Sequence, residues 1–300
     1  MMSTLVNVLL NALLIAGLYA SMSYGLAVIY GVMKIINLVH AGLMMFAAYV
    51  TLTLFEKFHV DPALSVLIVF PLFYLGGVVV YRLAVQRLPR SESGPTIESL
   101  LLTFGFWLVL QNLAYRLWSG DDQSILTSYT LKVIHLGGGL TVSVPRLITF
   151  GVGVLSLVVL EFVMQRTFLG KAVRAVTQNR SAAMLVGINA EKINAFAYGL
   201  GTAFAGLAGS LMALLYAFNP DFGRNFLLKA FCIIVLGGME SFTGVAVGAL
   251  VVALVENFSS LALPTTFQDA ITFGLLVVAL VVFPQGISGL WERLRGVRAR

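Results

Sequence analysis

Few side chains in this 300-residue chain are of a type that does chemistry, and they do not fall at the spacings that chemistry needs. Ser210, following Gly209, and the distant His40 are the nearest approach to a nucleophile and its base, without a motif that marks a hydrolase. Gly170-Lys171 has half of a phosphate cradle, but Ala172 stands where Ser or Thr belongs and Gln165 where the first glycine belongs. The lone Cys232 excludes a disulfide framework and a cysteine metal site. No catalytic residue and no metal ligand is assigned, and any ATP hydrolysis has to come from another chain.

What remains is polar sequence set into an oily background, in three places. Around Gly31-Val32-Met33-Lys34-Ile35-Ile36-Asn37-Leu38-Val39-His40-Ala41-Gly42, a lysine, an amide, an imidazole and glycines interrupt a hydrophobic run. Leu236-Gly237-Gly238-Met239-Glu240-Ser241-Phe242-Thr243-Gly244 does something similar in the second half of the chain. Non-helical backbone survives at membrane depth only where protein or a watery cavity satisfies it, so paired interruptions point to a transport site between two repeats. Asn37, His40, Gly42, Gly237, Gly238, Ser241 and Gly244 are the candidate lining residues. Glycine-mediated helix packing and a structural histidine are the competing readings.

The third place is the segment 166–193, where Arg166, Lys171, Arg174, Arg180 and Lys192 face one acid, Glu191. Asn179 can cap a helix running from Arg180 to Val186, Gly187 can end it in a left-handed conformation, and Asn189 can start the next one. Ala182, Leu185 and Val186 then share one side, with Arg180 and the other cations as a polar rim. Such a helix fits a groove on a soluble partner. A helix lying in the headgroup layer is the alternative, weakened by the absence of a Trp or Phe anchor between Arg180 and Gly187.

The elements that carry these residues follow from composition. Charged residues are 11% and apolar residues 59% of the chain, against about 25% and 45–50% in a soluble domain. Apolar stretches near 5–30, 35–55, 62–81, 97–117, 147–165, 194–217, 226–239, 243–261 and 268–288 recur along the whole length, most of them able to cross about 30 Å of hydrocarbon. The expected architecture is all-α, a polytopic bundle of about 8–9 transmembrane segments with one or two glycine-interrupted or re-entrant segments, forming a single domain over 1–300. The first stretch reads as a mature helix, not a cleaved signal, because it lacks a basic lead. Gly201, Ala205, Gly209 and Ala213 recur every four residues, a stripe that permits close helix contact, either within the bundle or between copies.

Charge gives the orientation. With Lys34, the loops 82–96 and 166–193 and the tail after Leu290 on one side, that side holds 13 of the 19 Lys and Arg. The remaining six, Lys57, Arg116, Lys132, Arg146, Arg224 and Lys229, are matched by acids. The basic side is expected to be cytoplasmic, so the net charge of +6 marks a membrane protein and not a nucleic-acid binder. The longest outer loop, 119–145, carries Gly137-Gly138-Gly139 and the alternating Thr141-Val142-Ser143-Val144, the mark of a small hairpin. Glu161 is expected to pair locally with Arg166, and Glu256 to face protein instead of lipid.

Several of these motifs, in order, resemble the permease subunits of branched-chain amino acid ABC importers, the smaller-permease type. Tyr30-Gly31 with Ile36-Asn37-Leu38-Val39-His40-Ala41-Gly42 is similar to that family's early glycine-interrupted signature. Ser181-Ala182-Ala183-Met184-Leu185-Val186-Gly187-Ile188-Asn189 is similar to its coupling segment, which makes Arg180, Ser181, Ala182, Ala183, Leu185, Val186 and Gly187 the expected ATPase contacts. Asn219-Pro220, Lys229-Ala230-Phe231, Val235 to Gly244 and Phe283-Pro284-Gln285-Gly286-Ile287-Ser288-Gly289 complete the match. Two departures stand out: Ser181 where importer permeases carry an acid, and Glu240 where the family carries glycine, with Lys34 as its expected partner.

The resemblance implies a subunit of the bacterial cytoplasmic, or inner, membrane that works with a second permease subunit, two ABC ATPase subunits and an extracytoplasmic solute-binding protein. It implies no cofactor on this chain, ATP being bound by the partners. The cargo would be branched-chain or other hydrophobic amino acids, for which a nearly uncharged path suffices; urea, short amides or small aromatic acids would also suit it. A secondary transporter or channel would need mid-membrane carboxylates, and an intramembrane enzyme would need Ser210 to meet His40.

Overall fold

The computed structural model describes residues 2–88, 96–239, 241–264, 267–282 and 286–289. Glu240, the Phe283-Pro284-Gln285 part of the terminal motif, and the arginine tail lie outside the described residues. Eight helices among the described residues are long and apolar enough to cross a membrane. They include α1 (Met2–Met33), α2 (Val39–Phe58), α3 (Pro62–Leu83), α4 (Ile97–Trp118) and α5 (Val144–Arg166). Two short helices, α6 (Phe168–Gln178) and α7 (Arg180–Leu185), precede the long α8 (Ala190–Leu215), and α9 (Gly223–Gly237), α10 (Phe242–Ser259) and α11 (Gln268–Val282) follow. The end of the bundle that carries α6 and α7 is called the basic end below.

α8 is the axis of the bundle and is buried along nearly its whole length. Its small residues face inward contacts on every side, so the stripe read from the sequence serves internal packing. Toward α3, Thr202 donates to the Phe73 carbonyl at 2.9 Å, and a Cβ on Gly206 would come within 2.8 Å of the Phe73 ring. Toward α1, a Cβ on Gly25 would lie 2.4 Å from the Gly201 carbonyl. Toward α2, a Cβ on Gly209 would lie 2.0 Å from the Met44 carbonyl. The Ser210 hydroxyl accepts from Thr51 at 2.8 Å, in the one kind of buried place where a hydroxyl needs a neighbour.

Both expected interruptions are present, and the first places the start of α2 inside the bundle. α1 ends at Met33, Lys34 takes φ 54°, and residues 34–37 are non-helical. His40, at the start of α2, hydrogen-bonds the Met22 carbonyl through Nε2 at 2.8 Å. Met22 lies about 16 Å up α1 from Met33 at the helical rise per residue, a distance that a short extended segment spans. The Leu38 amide of that segment is satisfied by Thr103 Oγ1 of α4 at 3.2 Å. α9 starts at the same depth, since a Cβ on Gly223 would meet the Ala41 carbonyl at 2.2 Å. With 15 residues, α9 covers about 22 Å and stops short of a full crossing, the short segment the sequence showed.

At the far end from α6 and α7, β1 (Val133–Gly137) and β2 (Leu140–Ser143) form the expected antiparallel hairpin. All three glycines of its turn take positive φ, which only glycine adopts without strain. Tyr129 of the same loop donates to Asp61 at 2.7 Å, and burial together with that bond holds its phenol well above the ordinary value. An isolated bridge between Gln123 and Phe218 ties the loop to the α8–α9 connection.

Because the Met44 backbone cannot yield, Gly209→Val is expected to destabilise the fold by about 1–3 kcal/mol or more. A lowered thermal unfolding midpoint of the detergent-solubilised chain would show it, and an unchanged midpoint would mean that α2 and α8 do not meet there.

Candidate functional site

The basic end presents a surface built from α6, α7 and the start of α8. The sequence pattern left α6 unmarked, although Thr167 caps it by accepting from the Gly170 amide at 3.2 Å. Ala172, Val173 and Val176 sit at helical spacing and are buried. That amphipathic trio was the available signal, obscured by the cations between. A Cβ on Gly170 would strike the Met164 carbonyl at 2.1 Å, so α6 folds back hard against the end of α5. Arg174 also bonds that Met164 carbonyl.

α7 forms as its capping residues dictate. Asn179 Oδ1 accepts from the Ala182 amide at 2.9 Å. Gly187 takes φ 85° while its amide bonds the Met184 carbonyl and that of Ile188 the Ala183 carbonyl, both at 3.0 Å. These two bonds satisfy carbonyls that a helix end leaves open. Asn189 caps α8 through the Lys192 amide at 3.1 Å.

The candidate contacts divide into two groups. Ala183 is buried and anchors α7. Ser181, Ala182 and Gly187 are exposed, and Leu185 is 89% and Val186 77% exposed, with Met184 beside them. Apolar side chains so open at the tip of a short helix form an unfilled knob. Arg180 departs from its expected place on the rim. It pairs with Glu191 at 2.6 Å, and Glu191 also accepts from Tyr81 of α3 at 2.7 Å. The pair is about a third exposed, so it contributes at most about 1 kcal/mol. Its geometric effect is larger: it links α7 to α8 and α3.

The candidate lining residues fall at the two interruptions. Asn37 and His40 are fully buried. Both polar atoms of the Asn37 amide and His40 Nδ1 have no hydrogen-bond partner among the described residues, an expensive arrangement at this depth. A Cβ on Gly42 would lie 2.9 Å from the Trp107 ring. At the second interruption Gly237 and Gly244 meet backbone to backbone, each Cβ position within 2.4 Å of the other's carbonyl. Gly238 takes φ 99°, and Ser241 caps α10 through the Gly244 amide at 3.0 Å. Gly238 and Ser241 line a cavity of about 960 Å³ at the basic end, together with Tyr30, Glu161 and Arg174.

Three further placements differ from or extend the sequence reading. Glu161 accepts from Gln165, one turn along its own helix, instead of pairing with Arg166. Ser210 and His40 hydrogen-bond to different partners, leaving no dyad. Lys229, counted with the surface cations, is buried within α9. Its Nζ lies 3.1 Å from Glu256 and 3.6 Å from Asp269, and Glu256 also accepts from Tyr19 and Thr272, each at 2.5 Å. Glu256 faces protein, as its position among apolar residues required. Its partner was missed because Lys229 lies in a segment too short to read as a span.

Comparison with known proteins follows the same lines. Residues 8–280 match the family described as the permease component of branched-chain amino acid transport systems. The high-affinity branched-chain amino acid transport system permease protein LivH of Escherichia coli strain K12 is 25% identical over 288 residues, covering 93% of this chain and 94% of that one. The corresponding permease protein BraD of Pseudomonas aeruginosa is 28% identical over 293 residues, 94% of each chain. The xylose transport system permease protein XylH of Haemophilus influenzae is 34% identical over 165 residues, 51% of this chain and 44% of that one. No solved structure matches.

Removing the α7 cap by Asn179→Ala is expected to cost about 1 kcal/mol of local helix stability. Hydrogen exchange of the amides from Ala182 to Leu185 is expected to quicken by about fivefold while α8 stays protected. Unchanged exchange there would dissociate the cap from the exposed tip.

Proposed function

The chain belongs to the family of permease components of branched-chain amino acid transport systems, and on that premise we propose that it imports branched-chain or other hydrophobic amino acids across the cytoplasmic membrane of a bacterium. In this reading it is one of two permease subunits. Two ABC ATPase subunits dock on the basic, cytoplasmic end, and a solute-binding protein delivers cargo at the hairpin end. The observation that carries the reading is the knob on α7. Leu185, Val186 and Met184 stand in solvent on a helix anchored by Ala183 and bridged through Arg180 and Glu191 to α8 and α3.

A groove on one of the ATPases takes this knob, and the exposed cations Arg166, Lys171 and Arg174 suit an acidic rim around it. Ser181 gives no ion pair to that partner, so apolar contact supplies the grip. When the ATPases close on ATP they move α7, and the bundle passes between outward-open and inward-open states by differential contact with the two. The cargo path runs past the interruptions, where the orphaned amide of Asn37 and Nδ1 of His40 find partners on a passing solute or its water. Gly42, Gly237, Gly238, Ser241 and Gly244 supply close backbone approach along the same path.

Two experiments test this. Gly187→Val forces a β-branched residue to φ 85°, a conformation that costs such residues about 1–3 kcal/mol. In proteoliposomes of the assembled transporter the variant is expected to lose leucine uptake while ATP hydrolysis no longer responds to loaded binding protein; normal stimulation and uptake would remove α7 from the coupling route. Asn37→Leu exchanges an unpaired amide for an apolar group of similar size. It is expected to leave the unfolding midpoint unchanged or higher while uptake falls by about tenfold. Retained uptake would take Asn37 off the path.

A further inference from the structure

The buried cation Lys229 has a second neighbourhood that packing alone does not use. It stands in the wall of a cavity of about 500 Å³ between the start of α9 and the start of α11, in the half of the bundle away from α6 and α7. That volume falls in the range of about 300–1,000 Å³ usual for small-molecule sites. Asp221, Arg224, Lys229 and Asp269 supply two charges of each sign around it, and Phe226 and Phe273 supply apolar surface.

Resting on the reading above, we infer that this cavity receives a zwitterionic amino acid with an apolar side chain. Lys229 takes its carboxylate, Asp269 its ammonium group, and Phe226 and Phe273 its side chain. Lys229 has one firm partner and one loose one. Glu256 holds it at 3.1 Å, is itself held by Tyr19 and Thr272, and is 3% exposed. Asp269 stands at 3.6 Å and its side chain is 53% exposed, farther than the roughly 2.7–2.9 Å of a charge-assisted hydrogen bond. An open ion pair with a fixed cation and a movable anion is the complement of a zwitterion's head group, which inserts by replacing one weak contact with two strong ones.

Net charge argues the same way. A zwitterion adds none, so no uncompensated charge enters a partly buried site. Molecules lacking one end of the head group leave either Lys229 or Asp269 without its new partner. Asp221 is already engaged by Gln111 at 2.6 Å and Tyr115 at 2.7 Å, which leaves Asp269 as the acid free to turn toward an ammonium group. The cavity also adjoins Asn219, next to the bridge that joins the outer loop to the α8–α9 connection, so a solute handed over at that end meets it first.

Photolabelling tests the site directly. The full chain in lipid nanodiscs is irradiated with photo-leucine, whose diazirine sits on the apolar side chain, and the adducts are mapped by mass spectrometry. Adducts are expected on residues 217–229 or 267–273, suppressed by excess L-leucine and spared by 4-methylpentanoate and by leucinamide. Asp269→Asn is expected to lower labelling by about tenfold, the worth of one charge-assisted contact, and Asp269→Glu to retain most of it, with unfolding midpoints matching the parent. Absent labelling, adducts elsewhere, suppression by 4-methylpentanoate as strong as by leucine, or indifference to Asp269→Asn would each overturn the inference. Leucine uptake by the unaltered assembled transporter reports separately on the cargo: uptake without labelling removes this cavity alone, and labelling without uptake removes the transport reading.

Discussion

Everything in this bundle depends on how closely other backbones approach α8. In hydrocarbon the apolar effect gives helices little reason to associate, because lipid tails are as oily as leucine, so association rests on packing and on short polar contacts. Glycine at 201, 206 and 209 lets α1, α3 and α2 close on three sides of α8, with the Gly25 and Met44 carbonyls and the Phe73 ring in the space that side chains would fill. Thr202, Ser210 and Thr51 add the hydrogen bonds that such proximity allows. A leucine-rich α8 would hold its neighbours farther off, and the interior would fill with side chains.

That tight centre is what makes the two broken segments possible. Unpaired amides and carbonyls facing lipid would each cost several kcal/mol, on the order of the penalty for burying a polar group without a partner. Residues 34–38 escape it by lying against α1 and α4, with Thr103 supplying one of the missing bonds. α2 and α9 can therefore begin at mid-depth, their first turns touching at Ala41 and Gly223. Among the described residues the surroundings leave His40 Nδ1 and the hydroxyls of Tyr24 and Tyr49 without a partner, and Asn37 lacks one for both polar atoms of its amide. A side-chain amide with neither its donor nor its acceptor satisfied at this depth is a feature that stability does not explain, which is why the proposed cargo path is drawn past it.

How much of this could be read beforehand varied with the range of the interactions. Helix caps are local, so Asn179, Gly187 and Asn189 were legible from their neighbours, as were the glycine turn of the hairpin and both interruptions. The number and order of the apolar segments followed from hydropathy alone. α6 was hidden because its three buried residues alternate with Lys171 and Arg174, and charge density outweighed periodicity. Lys229 was misplaced for a different reason. Sequence ranks a lysine near the end of a segment as a surface cation, while its burial depends on Glu256, Tyr19 and Thr272, which come from three other helices. Pairings of that range, and the Arg180–Glu191–Tyr81 bridge with them, are set by tertiary contact and have no local signature.

The two polar ends of the molecule differ in kind, and the difference constrains how they can communicate. At the basic end the charges sit on short, capped helices outside the core, so an applied load can shift α7 without breaking the bundle. At the opposite end the charges are drawn inside, with Glu256 joining α1, α9, α10 and α11 through Tyr19, Lys229 and Thr272. On the proposed coupling role, a pull on α7 would reach α8 through Arg180 and Glu191, and α8, packed closely on three sides, would pass it to α1, α2 and α3 as a rigid shift. α9 and α10 meet each other glycine to glycine at the basic end, where sliding costs no side-chain interdigitation. The Glu256 cluster pins their other ends. Motion imposed at α7 in that way would be steered toward the α9–α10 turn and the break beside Met33, two places where the backbone has already left the helix.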